Sequence, residues 1–343
     1  MINTLIRVIA VMALLSPVAF AQGTKPFVPV DPFDQVRQMQ RGVNILGYDP
    51  IWKEFNLGRF KQEHFKRIHD GGFNTIRLNL QAFSHMDSLN HLTPEWFKTT
   101  DWVVDNAIAN DLTVIIDEHD YEPCGADATL CRTKLLAFWE QVAPRYKDTP
   151  NNVIFEILNE PNKAIGVDEW NLLLNDALAI IRRTNPQRTV VIGPAFWNSV
   201  NKLDTMKLPA DDHHIIVTVH YYLPMTFTHQ GAPWNKETAS LSGIKWGTDA
   251  EKQAIVDDFS RVQTWSKANN RPILLGEFGA YDKADMDSRA KYTSAVARTA
   301  ESFGWAWTYW QFDSDFIVWN MEKNSWVAQI HNALIPVAGA PTQ

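Results

Sequence analysis

Cysteine is scarce in this chain, with 2 in 343 residues, so no disulfide scaffold carries the fold. A chain of this length buries a large core without one. Surplus positive charge is missing as well. Lys and Arg number 32 against 39 Asp and Glu, a formal charge of −7 that offers no field for a phosphate backbone and excludes general nucleic-acid binding. No Gly-x-Gly-x-x-Gly turn follows the first strand pattern, which argues against a dinucleotide-binding open sheet. His-Glu-x-x-His and Gly-x-Ser-x-Gly are both absent, so neither zincin nor serine-hydrolase chemistry has support. No internal repeat appears beyond an alternation of strand and helix patterns. Apolar residues make up 45% and charged residues 21%, ordinary globular values that exclude disorder and coiled coil. What the chain has in excess is tryptophan, 14 in all, enough for a rich core and a sticky surface together.

The first segment reads as an address. Arg7 precedes an apolar stretch from Val8 to Leu15, Ser16-Pro17 break it, and Ala19-Phe20-Ala21 places small residues for cleavage after Ala21. The apolar run falls short of the roughly 20 residues a bilayer span needs. A secretory signal peptide over residues 1–21 is therefore expected, with no membrane anchor after its removal, and export to periplasm or medium. Cys124 and Cys131 either close a small loop as a disulfide in that oxidising setting or stay as two free thiols. Their six-residue gap does not suit zinc.

Residues 22–38 read as an N-terminal extension, 39–335 as one α/β domain, and 336–343 as a tail. Short apolar runs recur at Arg41–Ile45, Thr75–Leu78, Thr113–Ile116, Val153–Ile157, Thr189–Ile192, Ile215–Val219, Ile273–Leu275 and Gly304–Tyr309. Several are apolar at successive positions, as strands buried on both faces of a parallel sheet are. Helical patterns lie between them at Lys61–Asp70, Pro94–Asn110, Arg132–Tyr146, Val167–Thr184, Ala250–Asn269, Asp285–Phe303 and Ser325–Leu334. Only the stretch from Pro194 to Pro209 lacks a helix of normal length. Eight strands with helices between them, over a chain with no linker, predict a (β/α)8 TIM barrel.

In such a barrel the chemistry sits where strands end and βα loops begin. Those positions carry Arg77-Leu78-Asn79, Asp117-Glu118-His119-Asp120, Asn159-Glu160-Pro161, His220-Tyr221-Tyr222, Glu277-Phe278-Gly279 and Trp310-Gln311. Two carboxyl groups facing each other across a barrel mouth suit glycosidic cleavage, one protonating the leaving oxygen and the other stabilising the anomeric centre. The same stretches have other readings: Asp117, Glu118, His119 and Asp120, with His213-His214, could be a metal cluster. Adjacent histidines on a strand face opposite ways and no metal-binding spacing occurs, so no metal or cofactor is expected. Either glutamate alone could be a structural ion-pair member.

Phe155-Glu156-Ile157-Leu158-Asn159-Glu160-Pro161 resembles the Asn-Glu-Pro signature of the cellulase family, glycoside hydrolase family 5. The other pieces fall in that family's order, over roughly residues 41–326. The resemblance implies Glu160 as acid/base and Glu277 as nucleophile of a retaining (β/α)8 glycosidase. It implies substrate-binding positions at Arg77, His119, Asn159, His220, Tyr222 and Trp310. The Phe227–Ala232 stretch with Trp234 resembles a loop of endoglucanase branches. The opening Gly42–Pro50 and Gln311 depart from the family's commoner forms, and both border the cleft. The implied activity is a monomeric, exported β-1,4-glucanase acting on poly- or oligosaccharide. β-Mannanase, xylanase or another β-glucanase are the alternatives within the class, and a non-catalytic carbohydrate-binding barrel the alternative outside it.

Tryptophan then sorts by position. Trp102, Trp139, Trp170 and Trp265 lie in helix patterns and read as packing. Trp52, Trp197, Trp234, Trp246 and Trp319 fall in or near βα loops as candidate sugar platforms, Trp234 and Trp319 foremost.

Overall fold

Alternation along each strand decides the architecture. The computed structural model describes residues 26–336. Eight strands, β1 (Arg41–Ile45), β2 (Thr75–Leu80), β3 (Thr113–Glu118), β4 (Val153–Glu156), β5 (Val190–Ile192), β6 (Ile215–Tyr221), β7 (Ile273–Phe278) and β8 (Ala306–Tyr309), pair in chain order. All pairs are parallel, and β8 returns to β1 to close the barrel. Both faces of these strands are buried, one against helices and one inside the barrel. The expected (β/α)8 fold is what forms.

The outer layer holds helices α2 (Gln62–Asp70), α3 (Pro94–Ala109), α4 (Tyr121–Ala126), α5 (Ala128–Arg145), α6 (Val167–Thr184), α7 (Asp249–Asn269), α8 (Met286–Ser302) and α9 (Ala328–Leu334). Their starts follow local chemistry. Thr93 caps α3 ahead of Pro94, and Thr248 with Glu251 forms a capping box on α7. Helix α5 begins earlier than the periodicity predicts, because Asp127 Oδ1 accepts from the Thr129 and Leu130 amides at 2.9 and 3.0 Å. Ser325-Trp326 pairs with Trp319-Asn320 as a small ribbon, so the last helix starts at Ala328 rather than Ser325. Cys124 on α4 and Cys131 on α5 are joined as a disulfide.

Part of the stretch read as an N-terminal extension is structural. Helix α1 (Pro32–Met39) lays Val36 and Met39 against Ile115, Ile154, Val191, Ile216, Leu274 and Ala306, closing the barrel's N-terminal end with an apolar layer. Burying each such side chain contributes about 1.5–3 kcal/mol relative to leaving it in water. The expected signal peptide lies outside the described residues, as does the expected tail apart from Pro336. No helix among the described residues is long and apolar enough to cross a membrane.

Candidate active site

Two residues above the apolar layer, the same inward-facing parity turns polar. Arg77 on β2 is fully buried at the barrel's centre. Its guanidinium donates to both oxygens of Glu156 at 2.7 and 2.9 Å, to Glu277 Oε1 at 2.7 Å, and to Asn44 and Asn159 Oδ1 at 2.9 Å each. Asp117 Oδ2 lies 3.1 Å away. One cation thus serves three carboxyl groups. Burial outweighs Arg77 and pushes Asp117 up to about 7, and it lifts Glu156 as well.

Above this layer stand the two glutamates. Glu160 follows β4 with a left-handed backbone, φ 45°, that turns its side chain into the mouth. Glu277 arrives by another device. The β6–β7 register pairs Val219 with Leu275 but His220 with Glu277, so Gly276 is the extra residue of a bulge. Leu274 faces the barrel interior, and simple alternation would send Glu277 outward; the bulge swings it in. Only glycine fits at the bulge, since a Cβ there would lie 2.5 Å from Thr218 Oγ1 and 2.9 Å from His220 Nε2.

Ligand atoms of Glu160, His220 and Glu277 all lie within 4.8 Å of one another. That spacing could hold a metal ion, but hydrogen bonds account for it without one. Tyr222 donates to Glu277 Oε2 at 2.9 Å, and His220 Nδ1 meets Glu160 Oε1 at 2.7 Å and Glu277 Oε2 at 3.6 Å. Burial raises Glu160 to about 7, against the opposing pull of His119 and Arg77. Glu277 is raised too, by burial and by Glu160, while His220 and Arg77 oppose the rise. Burial lowers both His119 and His220 to about 4, so both rings are neutral near pH 7.

His119 is held on both sides: Nδ1 is 2.6 Å from Asp117 Oδ2, and Nε2 is 3.3 Å from Asn159 Nδ2. Trp310 stacks on the His119 ring with centroids 5.6 Å apart and 5° between planes. His213 and His214 precede β6 at the closed end of the barrel, remote from His119.

The mouth opens into a cleft of about 790 Å³. The long loops after β6 and β8 shape it, contributing Leu223, Met225 and Trp234 from one and Asp315 and Phe316 from the other. His119, Asn159, His220, Tyr222, Trp310 and Trp234 line the cleft, together with both glutamates. Two expectations need correction. Arg77, expected to touch substrate, lies beneath the carboxylates and reaches only protein groups. Trp319, expected as a platform, is 2% exposed and stacks on Phe312, because the two-stranded ribbon it forms with Ser325-Trp326 folds it under the loop after β8. Trp52 and Trp246 are core residues too, packed on Trp96 and Tyr292. Trp197 and Trp234, 44% and 52% exposed, face the cleft.

Sequence reasoning gave no role to Asn44, Tyr48 or Asn198, and read Asp117 only as a strand-end acid and possible metal-cluster member. Inward parity on β1 and β3 was a usable signal for Asn44 and Asp117. Tyr48 borders the cleft edge-on to Trp310 at 6.2 Å, in the opening that departs from the family form. Asn198 gave no signal.

A family model described as Cellulase (glycosyl hydrolase family 5) matches residues 36–315. Endoglucanase H of Acetivibrio thermocellus is 30% identical over 318 residues, covering 89% of this chain and 34% of that protein. Endoglucanase 3 of Fibrobacter succinogenes is 26% identical over 339 residues, covering 82% and 51%. The chain thus spans about a third to a half of the length of these curated relatives. Among solved structures, Cel5A of Thermotoga maritima in complex with cellobiose is 37% identical with a TM-score of 0.85, over 89% of this chain and 100% of that one. The same protein solved with mannotriose gives the same values.

Proposed function

The chain belongs to the cellulase family, glycosyl hydrolase family 5, and on that premise we propose that it is an exported endo-β-1,4-glucanase working by double displacement. The observation that carries the reading is the pair of carboxyl groups, half-buried Glu160 and buried Glu277, within 4.8 Å of each other and held by different partners. Retaining glycosidases place their two carboxyl groups about 5–5.5 Å apart, against roughly 6.5–9.5 Å where a water must fit between them.

The partners divide the roles. Two carboxyls this close in a buried site favour one proton between them. Arg77 and Tyr222 give Glu277 one donor on each oxygen, which favours the charge there. The proton then resides on Glu160. His220 Nδ1–H occupies Glu160 Oε1 and leaves Oε2 to carry the proton. Glu277 attacks the anomeric carbon while Glu160 protonates the glycosidic oxygen, and the aglycone departs. Once Glu277 is a neutral ester, Glu160 loses a neighbouring charge, its pKa falls, and as the anion it takes a proton from the water that frees the sugar. Asn159 keeps one amide hydrogen beyond its contact with His119, suited to the sugar 2-OH. Trp310 forms the floor, and Trp234 with Trp197 offers indole faces to sugars on either side.

Export rests on the signal-peptide pattern and on the Cys124–Cys131 pairing, which suits an oxidising compartment. β-Mannan is a second substrate reading, favoured by the Thermotoga relative having been solved with both cellobiose and mannotriose. Product analysis on soluble cellulose, mixed-linkage glucan, mannan and xylan tests the proposal. Release of β-anomeric oligosaccharides from glucan is expected, read by NMR before mutarotation. Binding without turnover on all four would overturn it in favour of a carbohydrate-binding barrel.

A further inference from the structure

Between β5 and β6 the chain makes an unusual turn. Phe196, Trp197 and Asn198 all have left-handed backbone, with φ of 61°, 59° and 52°. Such a conformation is strained for a non-glycine residue, so surrounding contacts must hold it. Two anchors do so. The Trp197 amide donates to the Pro161 carbonyl at 3.2 Å, tying the turn to the segment just after Glu160. Ser199 pairs with His220 in a parallel bridge. The turn presents Trp197 to the cleft and drives Asn198 fully into the protein. Room for the Asn198 side chain exists because residue 193 is glycine; a Cβ there would collide with Asn198 Oδ1.

Asn198 Nδ2 lies 3.2 Å from His220 Nε2. An amide nitrogen only donates, so Nε2 must accept, and a neutral imidazole then carries its single proton on Nδ1. Nδ1 is the atom 2.7 Å from Glu160 Oε1. We propose that Asn198 is a positioning residue that fixes the His220 tautomer and thereby presents Glu160 as a proton donor. The inference rests on the reading of Glu160 as the acid. Other charged or titratable groups act on His220 from every side: Glu277 on β7, Arg77 on β2, Glu156 on β4 and His119 after β3. These stay in place in each Asn198 variant, so a change reports the amide.

Substrates that differ in their need for an acid separate this role from a structural one. Dinitrophenolate leaves without protonation, whereas the sugar alkoxide of cellotetraose does not. Values of kcat/KM for 2,4-dinitrophenyl β-cellobioside and for cellotetraose would be measured for the parent enzyme, Glu160→Gln, Asn198→Gly, Asn198→Ala and Asn198→Asp. Glycine tolerates the left-handed backbone and alanine does not, so the first pair separates the amide from the turn. Asn198→Asp keeps an acceptor and loses the donor. The expectation is a loss of about 10- to 100-fold on cellotetraose for both Asn198→Gly and Asn198→Asp, with the aryl substrate changed by less than about twofold. Asn198→Asp also draws a proton onto His220, and the imidazolium lowers Glu160, so the alkaline limb for cellotetraose moves to lower pH. Retention of parent activity on cellotetraose by either variant overturns the inference, as does an equal loss on both substrates. If Glu160→Gln shows no difference between the two substrates, the acid assignment itself fails, and the inference falls with it.

Discussion

The two ends of the barrel use the same strand positions for opposite purposes. Ile115, Ile154, Ile216 and Leu274 face inward at the closed end, under Val36 and Met39 of α1. Two residues further along the same strands, about 6.6 Å higher, stand Asp117, Glu156, Thr218 and Gly276. One layer is dry and apolar; the other holds a buried cation among carboxyl groups with raised pKa. Parity decides that a side chain enters the barrel, and height decides what it meets there. The closed end supplies stability, while the open end gives up stability to keep carboxyl groups poised.

The comparison can be broken at several points, beginning with the largest effect. Glu160→Gln and Glu277→Gln should each lower kcat/KM on cellotetraose by roughly 10²–10⁴-fold or more without loss of fold, as read by circular dichroism. Arg77→Met leaves buried carboxylates without their cation and should destabilise the protein by about 3–5 kcal/mol in urea titration, with activity lost as well. Met39→Ala should cost about 2–5 kcal/mol and leave kcat/KM unchanged. A kinetic defect in that variant would mean the two ends are not independent.

A pH dependence sharpens the contrast. Glu160 sits at about 7 in the folded protein against an ordinary value of 4.5. The folded state therefore binds more protons than the unfolded chain between those values, and this group's contribution to stability is lost as pH rises from 4.5 through 7. Glu160→Gln should flatten that slope and be the more stable protein at pH 8, by up to about 3 kcal/mol. For the parent enzyme the alkaline limb of kcat/KM should fall near the same pH as Glu160 deprotonates. The smallest effect belongs to the lips: Trp234→Ala should weaken oligosaccharide KM by about 1 kcal/mol with little change in stability. Trp319→Ala should do the reverse, destabilising by about 3–5 kcal/mol while KM holds.

Much of this was legible in the chain. Apolar runs placed the eight strands, and polar residues at their ends placed Glu160, Glu277, His119, His220 and Trp310 at one mouth. Three things were not legible, for physical reasons. A bulge is invisible to period-two reasoning, so the turn of Glu277 by Gly276 emerged only with the β6–β7 register. Loop tryptophans look alike in sequence, yet a two-strand ribbon sends Trp319 into the core while Trp234 stays on the cleft. Arg77 reads as a mouth residue beside Glu277, and it does bond that carboxylate, but its inward parity on β2 sets it beneath the cleft, which the strand-end position alone did not reveal.

Trapping the glycosyl-enzyme tests the central claim most directly. The enzyme would be incubated with 2,4-dinitrophenyl 2-deoxy-2-fluoro-β-cellobioside, whose fluorine slows turnover of the intermediate. Intact mass and peptide mapping would then follow. A single fluorocellobiosyl group on the peptide bearing Glu277 is the result this account predicts. Label on Glu160 instead, or turnover of cellotetraose to α-anomeric products with no label at all, would contradict it.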